Sequence, residues 1–92
     1  MDAELKNVLD ALTPVLREVF DSDDLVATPE LTAGMVKGWD SLGNVRLFLE
    51  IERAFSIRFS TVEIAALRNV GQLAERILQK KPRDPLKRAN SH

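Results

Sequence analysis

Apolar residues recur every three or four positions through residues 3–20, and this spacing limits what the chain can fold into. They are Leu5, Val8, Leu9, Leu12, Leu16, Val19 and Phe20. Such spacing places them on one face of a helix, which must pack against other elements. Pro14 lies inside the segment and removes one N–H donor. Because the apolar face continues beyond the proline, the segment predicts one kinked helix and not two.

Three further segments also predict helices. The second spans residues 41–55, with Asp40 as its N-cap. Capping boxes indicate where two more begin: Ser60 with Glu63 for a short third helix, and Asn69 with Gln72, a weaker match, for a fourth through residue 78. Residues 57–59 alternate as a brief extended piece would, which is too little for a sheet. We therefore predict an all-α fold, a four-helix bundle with a long loop between helices 1 and 2.

That long loop, residues 21–39, has no helical period. Its length in so small a domain indicates a function, and a short turn is expected near Pro29. Asp21, Asp23 and Asp24 lack the glycine and the final glutamate that a calcium loop requires, so no metal site is predicted. Few apolar residues are available to anchor the loop. We therefore expect its amides to be less protected from hydrogen exchange than those of the first helix.

Composition narrows the function classes. The chain has no cysteine, and its single histidine is the terminal His92, so a thiolate metal site or a histidine base is not expected. We divide it into one domain, residues 1–79, and a basic tail, residues 80–92, with five basic side chains and one acidic one. The tail lacks an apolar face, so we predict that it is disordered and does not bind nucleic acid. The chain has neither a membrane-spanning run nor a signal-like start, and we expect a cytoplasmic monomer with no membrane partner.

The second helix carries two apolar stripes. The broader stripe predicts core positions at Leu47, Phe48, Ile51, Ala54 and Phe55. The other stripe comprises Leu42, Val45 and Leu49, on the side that holds the charged residues. It is either additional core, which helical position alone favours, or an exposed contact surface.

Ser41 lies at the predicted start of this helix and admits three interpretations. It could be a nucleophile, but the chain offers no suitable base. It could be a simple first-turn residue, since Asp40 or Ser41 could each cap the helix. It could instead carry a phosphodiester, because a helix amino terminus stabilises phosphate. Gly43 destabilises a helix by up to about 1 kcal/mol relative to alanine, and we expect it to leave open space beside the serine.

These residues match a known family. The chain resembles the acyl carrier proteins through "GWDSL" at residues 38–42 and the apolar-rich "VRLFLEIERAF" that follows. The extended "IRF", the Ser60 helix and the closing "VGQLAERIL" add to the match, which covers about residues 3–79.

The resemblance implies a function. Ser41 would be the attachment site of 4′-phosphopantetheine, with Asp40 and Leu42 beside it, and a separate phosphopantetheinyl transferase would supply this arm from coenzyme A. The arm would carry acyl groups as thioesters to acyl-loading and acyl-processing enzymes, so the protein would be a carrier and not an enzyme. The implied partner surface comprises Leu42, Val45, Arg46, Leu49, Glu52 and Arg53, which favours exposure for the second stripe. The broad stripe would line the bundle interior.

The chain departs from the best-known fatty-acid carriers in its second helix. Their strongly acidic recognition face is missing here, because Glu50 and Glu52 are the only acids and Arg46 and Arg53 lie among them. This charge pattern, together with Trp39, is more similar to stand-alone carriers of specialised pathways, which carry polyketide or other acyl groups. Two alternatives stay open: an aminoacyl or peptidyl carrier with the same arm, and an unmodified helical interaction module whose basic tail contacts nucleic acid.

Overall fold

A computed structural model describes residues 3–80. The α-helices are α1 (Ala3–Phe20), α2 (Ser41–Phe55), α3 (Thr61–Ala66) and α4 (Val70–Lys80), and a 3₁₀ helix spans Ala33–Met35. No strand occurs within these residues, so the all-α prediction is confirmed, as are the bounds of the first two helices. The predicted tail began at residue 80, but Lys80 is the last residue of α4. The rest of that tail lies outside the described residues.

The core forms where α1 packs against both α2 and α4. Its largest completely buried side chains come from all three helices: Leu12, Leu16, Leu47, Ile51, Val70 and Ile77. Burial of each contributes about 1.5–3 kcal/mol. The helix α1 is continuous through Pro14, as predicted. The adjacent Thr13 hydroxyl donates to the Leu9 carbonyl at 3.2 Å, and it also accepts the N–H of Ala27 at 3.0 Å.

The broader apolar stripe of α2 is mostly buried in the core. Leu47, Phe48 and Ile51 are buried and Phe55 is half-buried, as predicted, but Ala54 is exposed. Ala54 lies about 60° around the helix from Ile51, at the edge of the stripe that adjoins the charged side. Phe48, at the opposite edge, is covered by the ring of Phe59, with ring centroids 5.1 Å apart. Placing Ala54 in the core was therefore wrong.

The loop of residues 21–39 is better anchored than its sequence predicts. Ala27 and Val36 are buried, and Leu25, Leu31 and Trp39 pack against the core. The premise that few apolar groups hold it is therefore wrong. The expected turn near Pro29 is present, since the N–H of Leu31 donates to the Thr28 carbonyl at 3.2 Å.

Hydrogen bonds also fasten this loop to α4. The N–H of Val70 donates to the Leu31 carbonyl at 2.8 Å, and that of Gly71 donates to the Pro29 carbonyl at 3.0 Å. These two donors belong to the first turn of α4, where a helix has no intrahelical acceptors for them. The loop carbonyls therefore serve as the cap of α4.

The predicted caps of the last two helices are present in one case and shifted in the other. The Ser60–Glu63 capping box has both of its hydrogen bonds. At α4, Asn69 Oδ1 accepts the N–H of Gln72 at 2.8 Å. The Gln72 carboxamide accepts the N–H of Arg68, at 2.9 Å, and not that of Asn69. The second box therefore reaches back one residue further than predicted.

Candidate functional site

Ser41 is the first residue of α2 and is exposed. The cap of this helix is Asp40, whose Oδ1 accepts the N–H of Gly43 at 2.8 Å, while its carbonyl accepts that of Asn44 at 2.8 Å. The Ser41 hydroxyl has no hydrogen-bond partner within residues 3–80. Because Asp40 supplies the cap, the serine hydroxyl is free for other chemistry.

Gly43 does not leave open space beside the serine, so that expectation was wrong. It is buried, and a Cβ atom there would lie 2.3 Å from the Gly38 carbonyl oxygen and 3.0 Å from a ring carbon of Phe20. The chain therefore needs glycine at this position because the preceding loop closes directly over it. Gly38 itself has φ +89°, a left-handed conformation that favours glycine.

Trp39 anchors the loop that precedes Ser41. Its indole stacks on the ring of Phe20, with centroids 5.3 Å apart and an interplanar angle of 26°. Its Nε1–H donates to Asn44 Oδ1 at 2.9 Å, inside α2. One side chain thus ties the end of α1, the loop and the first turn of α2 together. Sequence reasoning treated Trp39 as a family feature and missed Phe20 and Asn44, for which no local pattern gives a signal.

The arrangement provides no assembled catalytic group at Ser41. The Asp40 carboxylate receives the Gly43 N–H and makes no hydrogen bond to the serine hydroxyl. No group of three or more metal-ligating side chains occurs in the part of the chain that the structure describes. The site is therefore an exposed serine at a capped helix end.

The second stripe of α2 is exposed. Leu42, Val45 and Leu49 are 69%, 56% and 59% accessible, so the core assignment that helical position favoured is wrong for this stripe. An accessible apolar stripe on a helix is typical of a contact surface.

Comparison with solved structures supplies the family. A solution NMR structure of a holo acyl carrier protein from Geobacter metallireducens is 38% identical, with a TM-score of 0.77, over 92% of this chain and 93% of that chain. The chain belongs to the acyl carrier protein family. No protein-family model and no curated protein matches it.

The charged residues that the family resemblance implies for this carrier's partner surface are less free than the apolar ones. Arg46 Nη2 donates to the Val19 carbonyl at 3.2 Å, and Arg53 lies 3.6 Å from the Glu50 carboxylate. Glu52 Oε2 accepts the N–H of Phe59 at 2.8 Å. The Glu52 carboxylate thus holds the link between α2 and α3, while the exposed apolar stripe remains open.

No described helix of the carrier combines the length and the apolarity that a bilayer crossing requires.

Proposed function

We propose that Ser41 is the attachment point of a 4′-phosphopantetheine arm and that the protein carries acyl groups on it. One observation supports this most directly: the serine that begins α2 in a member of this family is exposed and has an unpaired hydroxyl. When bound, the arm supplies a thiol that holds an acyl group as a thioester.

The residues around Ser41 suit a serine-linked phosphate. The first N–H groups of a helix lack intrahelical acceptors, and Asp40 takes only that of Gly43. The N–H groups of Ser41 and Leu42 therefore face the position of a phosphodiester on Ser41, at the positive end of the helix dipole. The Asp40 carboxylate is turned toward the helix by its hydrogen bond to Gly43, which limits its repulsion of the phosphate.

Attachment requires a separate phosphopantetheinyl transferase with coenzyme A and Mg²⁺. The Ser41 oxygen forms a bond to the phosphorus that bears the pantetheine, and the bond from that phosphorus to the adenosine bisphosphate leaving group breaks. A base of the transferase takes the serine proton, since the carrier presents none. Asp40 and Leu42 flank the hydroxyl and form the nearest surface for that enzyme.

The partner enzymes of the carrier would dock on α2. The apolar contacts would come from Leu42, Val45 and Leu49 and the charged ones from Arg46, Glu52 and Arg53. Because α2 holds equal numbers of glutamate and arginine side chains, it does not select strongly basic partner surfaces. This favours a specialised acyl pathway, such as polyketide assembly, over housekeeping fatty-acid synthesis.

Intact-mass measurement tests the attachment. The purified protein, incubated with coenzyme A, Mg²⁺ and a promiscuous transferase, should gain one phosphopantetheine. The variant Ser41→Ala should gain none. The control Ser56→Ala changes the serine at the other end of α2 and should be modified like the wild type.

Two results contradict the proposal: an unmodified wild-type protein, or a Ser41→Ala variant that still gains the arm. The second would move the attachment site elsewhere, and the first would favour an unmodified interaction module.

A further inference from the structure

A pocket lies beside the start of α2. It is bordered by the loop, α2 and the link between α3 and α4, and has a volume of about 70 Å³. At 10–15 Å³ for each water this is room for about five waters. Its apolar walls include Trp39, Phe48 and Leu73, and its polar lining comprises Asn44, Arg68 and Asn69.

The polar lining of this pocket retains unpaired side-chain donors. The indole Nε1–H can only donate, so its bond to Asn44 fixes the Asn44 oxygen toward Trp39 and leaves the NH₂ group free. Asn69 is fixed in the same way, because its Oδ1 accepts the backbone N–H of Gln72. Both amides thus have the oxygen oriented by one hydrogen bond and retain both NH₂ donors.

Arg68 adds a positive charge to these donors. Its side chain has no ion-pair or hydrogen-bond partner among residues 3–80, although its backbone N–H is bound by Gln72. A guanidinium has five N–H donors and no acceptor. The pocket therefore presents a cation and several unpaired donors beside apolar walls, which complements an anion with a short apolar stem.

The pocket is on the same side of α2 as Ser41. Asn44 and Phe48 lie three and seven residues after Ser41, a spacing that aligns side chains along one face of a helix. The end of a flexible arm attached to Ser41 can therefore reach the pocket by folding back along this row of residues.

We propose that this pocket receives the end of a short acyl cargo and prefers a cargo that ends in a carboxylate. Arg68 is the main residue that binds this carboxylate. This rests on the proposed attachment at Ser41. The small volume selects a stem of a few carbons, because a long alkyl chain would need more space than about five waters occupy. Arg68 and the two asparagine amides would bind the carboxylate oxygens, while Trp39 and Phe48 contact the stem.

The test compares two cargoes of equal length on Ser41, butyryl and succinyl, transferred with the arm from their coenzyme A thioesters. Intact mass first verifies loading, so a failure of attachment is seen separately from a failure of the pocket. The succinyl form should unfold about 4–8 °C above the butyryl form, the shift that about 1 kcal/mol of added stability gives a domain of this size. Trp39 is the only tryptophan, so its fluorescence should also separate the two cargoes.

The variant Arg68→Gln should abolish both differences. The substitution should leave the fold intact, because the Arg68 side chain is exposed and makes no hydrogen bond or ion pair within residues 3–80. Arg58→Gln is the matched control, since Arg58 borders a different groove at the other end of α2, and it should retain both differences. A ¹³C-labelled succinyl carboxyl should titrate at a lower pH in the wild type than in Arg68→Gln.

Three results would overturn the proposal. The first is equal unfolding temperatures for the two cargoes, and the second is a difference that survives in Arg68→Gln. The third is the full Trp39 response from the arm without any acyl group, which would assign the donors to the carbonyl oxygens of the arm.

Discussion

Ser41 is positioned by a close contact between two glycines. The Gly38 carbonyl presses on the Cα side of Gly43, and the ring of Phe20 closes the same space. The glycine in the first turn of α2 is therefore a packing requirement, and the resulting contact sets where the helix begins relative to the loop.

Replacing Gly43 with alanine tests whether helix propensity or packing dominates at this position. Helix propensity alone would stabilise the protein by up to about 1 kcal/mol. The new Cβ, however, would lie 2.3 Å from the Gly38 carbonyl oxygen, and such overpacking destabilises by about 1–3 kcal/mol. We expect a net loss in the free energy of unfolding, measured by urea denaturation, and slower loading of Ser41.

The matched control is Gly34→Ala. Its Cβ would meet only the Thr32 hydroxyl, at 4.0 Å, so the free energy of unfolding should change by less than about 0.5 kcal/mol. A Gly43→Ala protein that is as stable as Gly34→Ala would show that the loop yields easily and does not fix Ser41.

At the scale of the elements, the short helix α3 depends on a network at its first turn. Glu63 completes the capping box with Ser60, and its carboxylate also lies 2.8 Å from the ammonium of Lys80 at the end of α4. The same ammonium lies 5.4 Å from the centre of the Phe59 ring. One carboxylate thus joins α3 to α4, and α3 borders the pocket.

This network predicts a pH dependence. The hydrogen bond from Lys80, with that from the Ser60 backbone, lowers the pKa of Glu63 below its ordinary value of 4.5. The unfolded state therefore binds more protons in this range, so the stabilisation is complete above pH 4.5 and is lost as the pH falls through the lowered pKa. Wild type and Glu63→Gln should differ most in unfolding midpoint near pH 7 and converge as the pH falls well below 4.5.

Urea midpoints across that pH range provide the measurement. Glu75→Gln, an exposed α4 carboxylate, serves as the control and should show no such convergence. A constant gap between wild type and Glu63→Gln from pH 7 to pH 3 would contradict the assignment.

The elements themselves were predictable because their signals are local. The apolar period gave the bounds of α1, and the Asp40 and Ser60 caps gave the starts of α2 and α3. The predictions failed at Gly43 and at the loop, where the decisive contacts join residues far apart in sequence, such as Gly43 with Phe20. The position of Ser41 at the start of α2 was predictable, but the Trp39–Asn44 bond that supports it was not.

In the whole molecule, the loop of residues 21–39 connects α4 to the start of α2, where Ser41 lies. It is joined to α4 at Pro29 and Leu31, and it ends in Trp39, which is stacked on α1. The loop is therefore the part of the chain through which an opening at α4 would reach Ser41.

Gly71→Ala tests this coupling. A Cβ at Gly71 would lie 2.9 Å from the Pro29 carbonyl oxygen, so the loop must move away from α4 and its two hydrogen bonds must weaken. Amide exchange measured by NMR should accelerate about tenfold at Val70, equivalent to about 1.4 kcal/mol of local opening. Amides in the middle of α1, such as Leu12, should keep their rates.

The pattern of exchange discriminates between local and global effects. Gly34→Ala alters the same loop without a clash and should leave the Val70 rate unchanged. If Gly71→Ala accelerates Leu12 as much as Val70, the loop does not open separately and the whole bundle unfolds together. Faster exchange at Val70 together with faster exchange of the Trp39 indole N–H would instead place Ser41 on the same opening unit, because Trp39 is bonded to Asn44 in the first turn of α2.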